Sequence, residues 1–431
     1  MASLHRLNYA KHLNGFGQKI AHALYQVGKE KMITTIEPQT SKISTPSKIK
    51  KVLDGLDPNM SRLFVPWVLR NPRYIRAGIR LARSYKKTEN LRREAKATGL
   101  SIPPFLILSI TSKCNLSCAG CYAAAVGTLE SSSLPVCGGK KPALDWEQWY
   151  DIIHDAAEQG VFGFIIAGGE PFLFRGLLQL CDSFKDRFFI VLTNGTALTR
   201  NDYDRLKKMK NVAVIVSVEG SEETTDMRRG AGVHRQALET LTRLKSIGVP
   251  TGISVTITNQ NYTYWMAKEN LDYYVNLGVI VGVFIEYIPV MSENLTGETC
   301  GSYDKRLMLS PAERAEFREQ VLEYRRDNSL YVIHSPGDED YFGGCVSAGR
   351  GFAHVTPSGD LTACPVSNLA THNLSESSFR EGLASPLFKA IRENEHLLTN
   401  EDTPCALFGH PVEIMEIAKS VGAYSTDEAQ A

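Results

Sequence analysis

Three cysteines in one short run, Cys114, Cys118 and Cys121 within C-N-L-S-C-A-G-C, are the residues best suited to chemistry in this 431-residue sequence. Their deprotonated sulfurs are soft ligands that bind iron strongly, and a loop of this length can wrap a compact [4Fe-4S] cube. Three ligands leave one iron open, which separates such a site from an electron-storage cluster whose four positions are filled. Structural zinc is the alternative reading, but zinc asks for a fourth nearby ligand and the loop offers none. Of the other cysteines, Cys181 sits in an apolar helical stretch and reads as core, while Cys137 lies in SSSLPVCGGKKP, which reads as a surface loop.

The elements that must position this loop alternate. FLILSIT (105–111) predicts a strand directly before the cysteines, and VFGFIIA (161–167), FFIVLT (188–193), VAVIVSV (212–218), GISVTIT (252–258) and VGVFIEYI (281–288) predict five more. Asp145 and Gln148 are spaced as a capping box at the start of a helix, and the segments around 173–183, 197–209, 234–246 and 261–276 are long enough for crossover helices. With 310–327 as a last helix this makes six βα units. No strand is followed by G-x-G-x-x-G, so an open or incomplete barrel is more economical than two dinucleotide-binding domains. The rhythm then changes: 352–364 reads as a hairpin turning at Ser358, Gly359 and Asp360, and 379–394 reads as helical.

The pattern C-x₃-C-x₂-C after a first strand resembles the radical S-adenosylmethionine superfamily, and the likeness continues over roughly residues 105–290. The resemblance implies an α/β fold, a partial (β/α)6 TIM barrel over 101–328 with a small C-terminal cluster-binding α+β domain over 329–424, to which composition and periodicity add a helical N-terminal extension over 1–100 and a mobile tail over 425–431. It also implies that S-adenosylmethionine chelates the open iron of the catalytic cluster. Gly168, Gly169 and Glu170 match the family's GGE motif, where backbone groups and Glu170 receive the methionine amino group. Asn194 and Gly195 match the third-strand ending near the nucleoside, and Ser217, Arg228 and Arg229 the fourth-strand motif near the ligand's polar end. Glu219 stands where the family usually has Asp, keeping the charge but changing the reach. Ser254 or Thr256 approaches the ribose, and Glu286 is either a substrate-side acid or a polar residue beneath the open barrel. Gly120 departs from the aromatic residue that many relatives carry before the third cysteine. Farther on, Cys345, Gly359 and Cys364, with Cys405 as a later ligand, resemble the Twitch or reduced SPASM fold, which implies one auxiliary [4Fe-4S] cluster. Three thiolates again leave a fourth position, for which His410 is a candidate by chemistry and Cys300 a remote one.

Charge divides the chain. Residues 1–100 hold 20 Lys/Arg against 6 Asp/Glu, and residues 101–431 hold 28 against 41, although the total is only +1. The basic part could face nucleic acid, anionic lipid or the acidic remainder of its own chain. Residues 1–30 read as a helix, and a second begins after Asn71 and Pro72, with Ile75, Ile79 and Ala82 on an apolar side and Arg76, Arg80, Arg83 and Lys87 opposite. No RNA-binding motif accompanies them, so no nucleic-acid partner is expected. With sparse cysteines, no secretory signal and no apolar run of membrane-spanning length, the expected compartment is the cytoplasm, with peripheral attachment to an anionic membrane surface. The resulting expectation is an enzyme that, with electrons from a flavodoxin or ferredoxin, cleaves S-adenosylmethionine reductively and abstracts hydrogen from an unactivated carbon. A lipid or hydrophobic small molecule is the leading substrate class. A ribosomal peptide is the alternative, and a noncatalytic iron-sulfur electron carrier a remoter one.

Overall fold

The computed structural model of the protein describes Trp67 and residues 71–130, 141–290, 292–293, 299–300, 304–327, 330–399 and 403–426. The expected helix over 1–30 and the loop at Cys137 lie outside the described residues. A 3-10 turn at Pro72–Tyr74 leads into α1 (Ile75–Ala97). Then β1 (Phe105–Ser109), α2 (Trp146–Gln159), β2 (Gly163–Ala167), α3 (Leu177–Ser183), β3 (Phe188–Thr193), α4 (Arg200–Lys208) and β4 (Val212–Ser217) alternate. They are followed by α5 (Glu222–Arg229), α6 (Val233–Ile247), β5 (Thr251–Ile257), α7 (Lys268–Asn276), β6 (Val279–Glu286), α8 (Pro311–Asp327) and β7 (Tyr331–Ser335). The chain ends in β8 (Phe352–Val355), β9 (Asp360–Thr362), β10 (Leu369–Asn373), α9 (Phe379–Leu383), α10 (Pro386–Glu393), α11 (Pro411–Ser420) and β11 (Tyr424–Ser425).

These strands form one sheet in the order β11-β10-β9-β8-β1-β2-β3-β4-β5-β6-β7. Every pair from β8 across to β7 is parallel, as crossover helices dictate, and the three pairs from β8 out to β11 are antiparallel. The two outermost strands, β11 and β7, do not pair, so the barrel stays open. Two expectations change here. The sheet runs unbroken across the boundary drawn at 328, because β7 pairs parallel with β6 and β8 parallel with β1, so each barrel edge is covered by a strand from the C-terminal region. The tail begins later than Ser425, which pairs with Leu369 in the sheet and is 1% exposed.

Alternation along the strands decides which face holds the core. Leu106 and Leu108, Phe164 and Ile166, Phe189 and Val191, Val214 and Val216, and Ile253 and Val255 are buried against helix residues such as Trp149, Leu180, Leu241 and Leu244. Each such burial contributes about 1.5–3 kcal/mol. The intervening positions face the other side, toward the concavity. The capping box foreseen for α2 is present, with Gln148 N–H donating to Asp145 Oδ1 at 2.9 Å and Asp145 N–H to Gln148 Oε1 at 3.0 Å.

α1 crosses the end of the barrel opposite the cysteines. Arg92 Nη1 donates to Gly160 O (2.7 Å) after α2, Arg80 Nε to Lys185 O (2.9 Å) after α3, and Tyr74 OH to Gly248 O (3.1 Å) after α6. Cations at helix C-termini meet unpaired carbonyls and the negative end of the dipole. The buried stripe of α1 is Ala77, Ser84, Thr88 and Ala95, while Ile79 is 39% exposed, so the packed face is rotated from the one hydrophobicity suggested. No described helix is long and apolar enough to cross a membrane.

Candidate active site

The cysteine loop leaves β1 and ends at Cys121, whose extended backbone starts a single helical turn at Tyr122–Ala125. Its neighbours hold it through the backbone. Ile110 N–H donates to Ala167 O (3.0 Å), Gly169 N–H to Thr111 O (2.8 Å), Glu170 N–H to Lys113 O (2.8 Å) and Ala119 N–H to Arg228 O (2.9 Å). The two glycines of GGE make this approach possible. A Cβ on Gly168, at φ +121°, would stand 2.6 Å from Thr111 O, and one on Gly169 would stand 2.1 Å from Lys113 O. The amide N–H groups of Gly169 and Glu170 are therefore spent on the cysteine loop. Glu170, 1% exposed, accepts from Thr193 Oγ1 (2.7 Å), Phe172 N–H (3.1 Å) and Asn194 N–H (2.8 Å), which ties the end of β2 to the end of β3. Burial still raises its pKa.

Asn194 Nδ2 donates to Asn115 Oδ1 (2.9 Å), Asn115 Nδ2 donates to Thr196 Oγ1 (2.8 Å), and Thr196 returns to Asn194 Oδ1. Asn115, Thr193 and Thr196 were not foreseen as site residues. Their signal was polarity within the motifs themselves, since C-N-L-S-C and L-T-N-G-T set amide and hydroxyl groups beside every strand end. Arg228 and Arg229 both reach the 1%-exposed Glu219, Arg229 Nε at 2.7 Å from Oε1, so neither is the outward one. Thr256 N–H donates to the other oxygen of Glu219 (3.1 Å), and Ser217 and Ser254 share a hydrogen bond of 3.0 Å. The loop cysteines, Asn194, Ser217, Arg228, Arg229, Ser254 and Thr256 thus lie around the C-terminal ends of β1 and β3 to β5, where α/β barrels assemble their sites.

Glu286 departs from the expectation of a substrate-side acid. It shares a strand face with Phe284, whose ring lies 5.2 Å from Trp265 and 6.0 Å from Phe317 in the helical layer, whereas Ile285 on the other face is 37% exposed. Period-two alternation therefore turns the Glu286 carboxylate away from the concavity. Arg314 Nε of α8 donates to it at 2.7 Å, and His334 Nε2 of β7 stands 3.0 Å away. The group is a buried ionic clasp between β6, β7 and α8.

Burial pushes the Cys114 thiol up to about 11, and it raises Cys118 as well, opposed there by the positive charges of Arg229 and Arg228. Ionising these sulfurs calls for a strong local cation, which is what metal ligation provides. Among the described residues no three His, Cys, Asp or Glu side chains converge tightly enough to enclose one metal ion. Gly120 completes the loop at φ +64°. A Cβ there would lie 2.9 Å from Tyr287 Cε2, so the ring missing from the cysteine motif is matched by one arriving from the end of β6.

The second cysteine set is also brought together. Cys345 N–H donates to Leu398 O (2.7 Å), Cys364 follows β9, and Cys405 precedes a short turn at Ala406–Gly409. Burial pushes Cys345 up to about 12 and Cys405 up to about 11, and it raises Cys364 well above its ordinary value, with the charges of Cys405 and Cys345 adding to the effect. His410 is committed elsewhere, its Nδ1 lying 3.3 Å from Glu413 Oε1 and its Nε2 3.2 Å from Thr399 O. Cys181 is fully buried in the α3 core.

Residues 108–273 match the Radical SAM superfamily. The sporulation killing factor maturation protein SkfB of Bacillus subtilis is 29% identical over 163 residues, 37% of each chain. The Fe-coproporphyrin III synthase of Methanosarcina barkeri is 30% identical over 161 residues, 37% of this chain and 38% of that protein, so the chain matches little more than a third of these relatives' length. The mycofactocin maturase MftC of Mycolicibacterium smegmatis is 27% identical over 327 residues, 72% of this chain and 77% of that protein. Streptococcus suis SuiB, solved with precursor peptide SuiA, shares the fold with a TM-score of 0.55 at 18% identity, over 87% of this chain and 79% of that one. That family's cofactors, S-adenosylmethionine and a catalytic [4Fe-4S] cluster, fit the donor set at Cys114, Cys118 and Cys121, and relatives of the SPASM and Twitch type add an auxiliary cluster. The cysteine loop, the glycine pair that seats it and the match over 108–273 agree, and this part of the chain is similar to the radical SAM superfamily.

Proposed function

We propose that the protein is a radical S-adenosylmethionine enzyme that modifies a peptide. The observation that carries the chemistry is the three-cysteine loop locked by backbone hydrogen bonds to the GGE strand end. With S-adenosylmethionine and the cluster bound, an electron from a flavodoxin or ferredoxin would cleave a sulfonium carbon-sulfur bond and give a primary carbon radical able to take hydrogen from an unactivated carbon. The chain's part is to hold the ligands. Cys114, Cys118 and Cys121 carry the cluster, the strand ends of β3 to β5 present hydroxyl and amide groups to the nucleoside, and the Glu219 clamp fixes Arg228 and Arg229 beside the thiolates.

The peptide reading is supported by the maturation proteins among the relatives and by the peptide-bound SuiB fold. The lipid reading drew on the basic, amphipathic N-terminal segments and on the C-N-L-S-C-A-G-C motif, and the described segment spends its buried face and Arg80 on docking to the barrel. A tetrapyrrole is the second reading, favoured by the likeness to Fe-coproporphyrin III synthase. The test is anaerobic incubation with S-adenosylmethionine, a reductant and a panel of synthetic peptides deuterated on side-chain carbons. Deuterium in 5′-deoxyadenosine together with a peptide mass change is expected, and both should vanish in the Cys114→Ala/Cys118→Ala/Cys121→Ala variant. Deuterium arriving from a labelled porphyrin, and from no peptide, would replace the first reading with the second.

A further inference from the structure

We propose that Tyr287 is a positioning residue for the cysteine loop: its ring braces Gly120 and so fixes the spacing of the Cys118 and Cys121 thiolates. The inference rests on the reading of a three-cysteine cluster site and goes beyond it by naming a second seat for the loop, besides the one that GGE supplies.

GGE holds the first part of the loop, where Gly169 N–H and Glu170 N–H donate to Thr111 and Lys113. The part that carries Cys118 and Cys121 is bonded through Ala119 N–H to Arg228 O at 2.9 Å, and the next residue, Gly120, meets a side chain. At φ +64°, a Cβ on Gly120 would lie 2.9 Å from Tyr287 Cε2, 3.6 Å from Cζ and 3.5 Å from the hydroxyl oxygen, so its three nearest atoms all belong to one ring edge. Glycine moves freely through φ/ψ space, and a chain that turns at glycine keeps its direction only through an outside contact. Tyr287 can supply that contact because it is itself fixed. It is 3% exposed, its N–H donates to Ile257 O at 2.8 Å, and its hydroxyl is hydrogen-bonded to the backbone of Asp304. Alternation aims the ring. Phe284 and Glu286 point into the helical layer, where Arg314 and His334 hold the carboxylate, so Ile285 and Tyr287 point to the concavity. The Glu286 clasp thereby acquires a task toward a site it does not touch, since it keeps the register that turns the next ring onto the loop. The same segment continues past Cys121, where Ile288 and Val290 pack with Tyr122, Ala125 and Val126. Both neighbours of Cys121 in the chain, Gly120 and Tyr122, therefore rest on side chains that follow β6.

Loss of a brace between two ligands should show as cluster lability before it shows as unfolding. Full-length wild type, Tyr287→Ala, Tyr287→Phe, Gly120→Ala and Gly120→Ala/Tyr287→Ala are reconstituted anaerobically. Iron loss to a chelator, without denaturant, is followed through the EPR signal that responds to S-adenosylmethionine, with the signal of the C-terminal cysteines as reference. Tyr287→Ala should release the responsive cluster about 10–100-fold faster than wild type while the reference signal keeps its rate. Tyr287→Phe, which keeps the ring edge, should match wild type. Gly120→Ala should be labile too, and the double variant no more labile than the weaker of the two single variants, because each change removes the same contact. Additive losses in the double variant would make the two residues independent and overturn the brace. So would a Tyr287→Ala protein that holds both clusters as wild type does, or that loses both at one faster rate, which is general loosening. A Gly120→Ala protein with wild-type retention would overturn it as well, even if Tyr287→Ala fails to fold. Wild type without a cluster that responds to S-adenosylmethionine would remove the radical-enzyme reading itself, whereas a responsive wild type with indifferent variants removes only Tyr287.

Discussion

At Gly169 the smallest side chain decides whether the site exists. A Cβ there meets the Lys113 carbonyl at 2.1 Å, and because the obstacle is backbone, no rotamer change relieves it. Gly169→Ala should push the cysteine loop off β2 and lose the catalytic cluster's iron while the auxiliary signal persists. Gly78→Ala is the matched control: its Cβ meets nothing within 4 Å in the first turn of α1, and it should stabilise by up to roughly 0.5–1 kcal/mol. Iron analysis and urea midpoints separate the two outcomes, and equal iron in both variants would contradict the seating role. His354 sets a different dependence. It joins β8 to the barrel through Ser109 Oγ (2.8 Å) and Thr362 Oγ1 (2.8 Å), and burial lowers its pKa from 6.5 to about 3. The unfolded state therefore binds the extra proton first. The contribution of His354 is complete above pH 6.5 and is lost as pH falls toward 3, at up to about 1.4 kcal/mol per unit. His354→Gln should flatten this part of the stability profile between pH 7 and pH 5, and an unaltered slope would assign the acid sensitivity to other groups.

Among the elements, α1 shows what composition conceals. Its basic residues read as a face for anionic lipid, yet Arg80 and Arg92 close the carbonyl ends of α3 and α2. Charge-assisted hydrogen bonds of this kind contribute about 1.5–3 kcal/mol. Arg92→Ala should destabilise by that order in urea unfolding, whereas Arg83→Ala, on the exposed side, should change stability by less than about 0.5 kcal/mol. The helix itself was legible from Asn71-Pro72, but its packed face was not. Docking on backbone carbonyls favours small residues such as Ala77, Ser84 and Thr88, to which hydrophobicity is blind. The strands were legible because each is a short, nearly continuous apolar run, and β3 spans 188–193 as read. Glu286 shows the limit of that legibility. Its place at a strand end was clear from sequence, but the face it takes follows from its register with Phe284 and from the partners Arg314 and His334, one on a helix and one on a strand added later in the chain. GGE was found for its resemblance, while its physical task of admitting another backbone became visible only with the Lys113 carbonyl in place.

Across the whole molecule the two cysteine sets are neighbours through one side chain. Tyr122 follows Cys121 directly and shares a small apolar cluster with Val366, two residues beyond Cys364, and with Ile288 and Val290 past the end of β6. Burial raises the Tyr122 phenol, and the charges of Cys121 and Cys364 both add to the shift, so this ring stands within reach of a thiol from each set. The sheet is continuous between the two regions, β8 of the C-terminal region pairing directly with β1, the strand that precedes the cysteine loop. A wall common to two iron-sulfur sites ties their solvent exposure together, and solvent exposure is one of the factors that set reduction potential. Tyr122→Ala should admit water to both sites and raise both midpoint potentials, because water favours the reduced, more negative state of each cluster. Tyr122→Phe, which keeps the ring and its packing, should leave both close to wild type. Redox titration followed by EPR reads the two clusters separately in one sample. If Tyr122→Ala moves one potential and leaves the other in place, the clusters are electrostatically independent and the shared wall has no redox role. If both move together, the C-terminal region forms part of the same reaction chamber that the barrel opens toward.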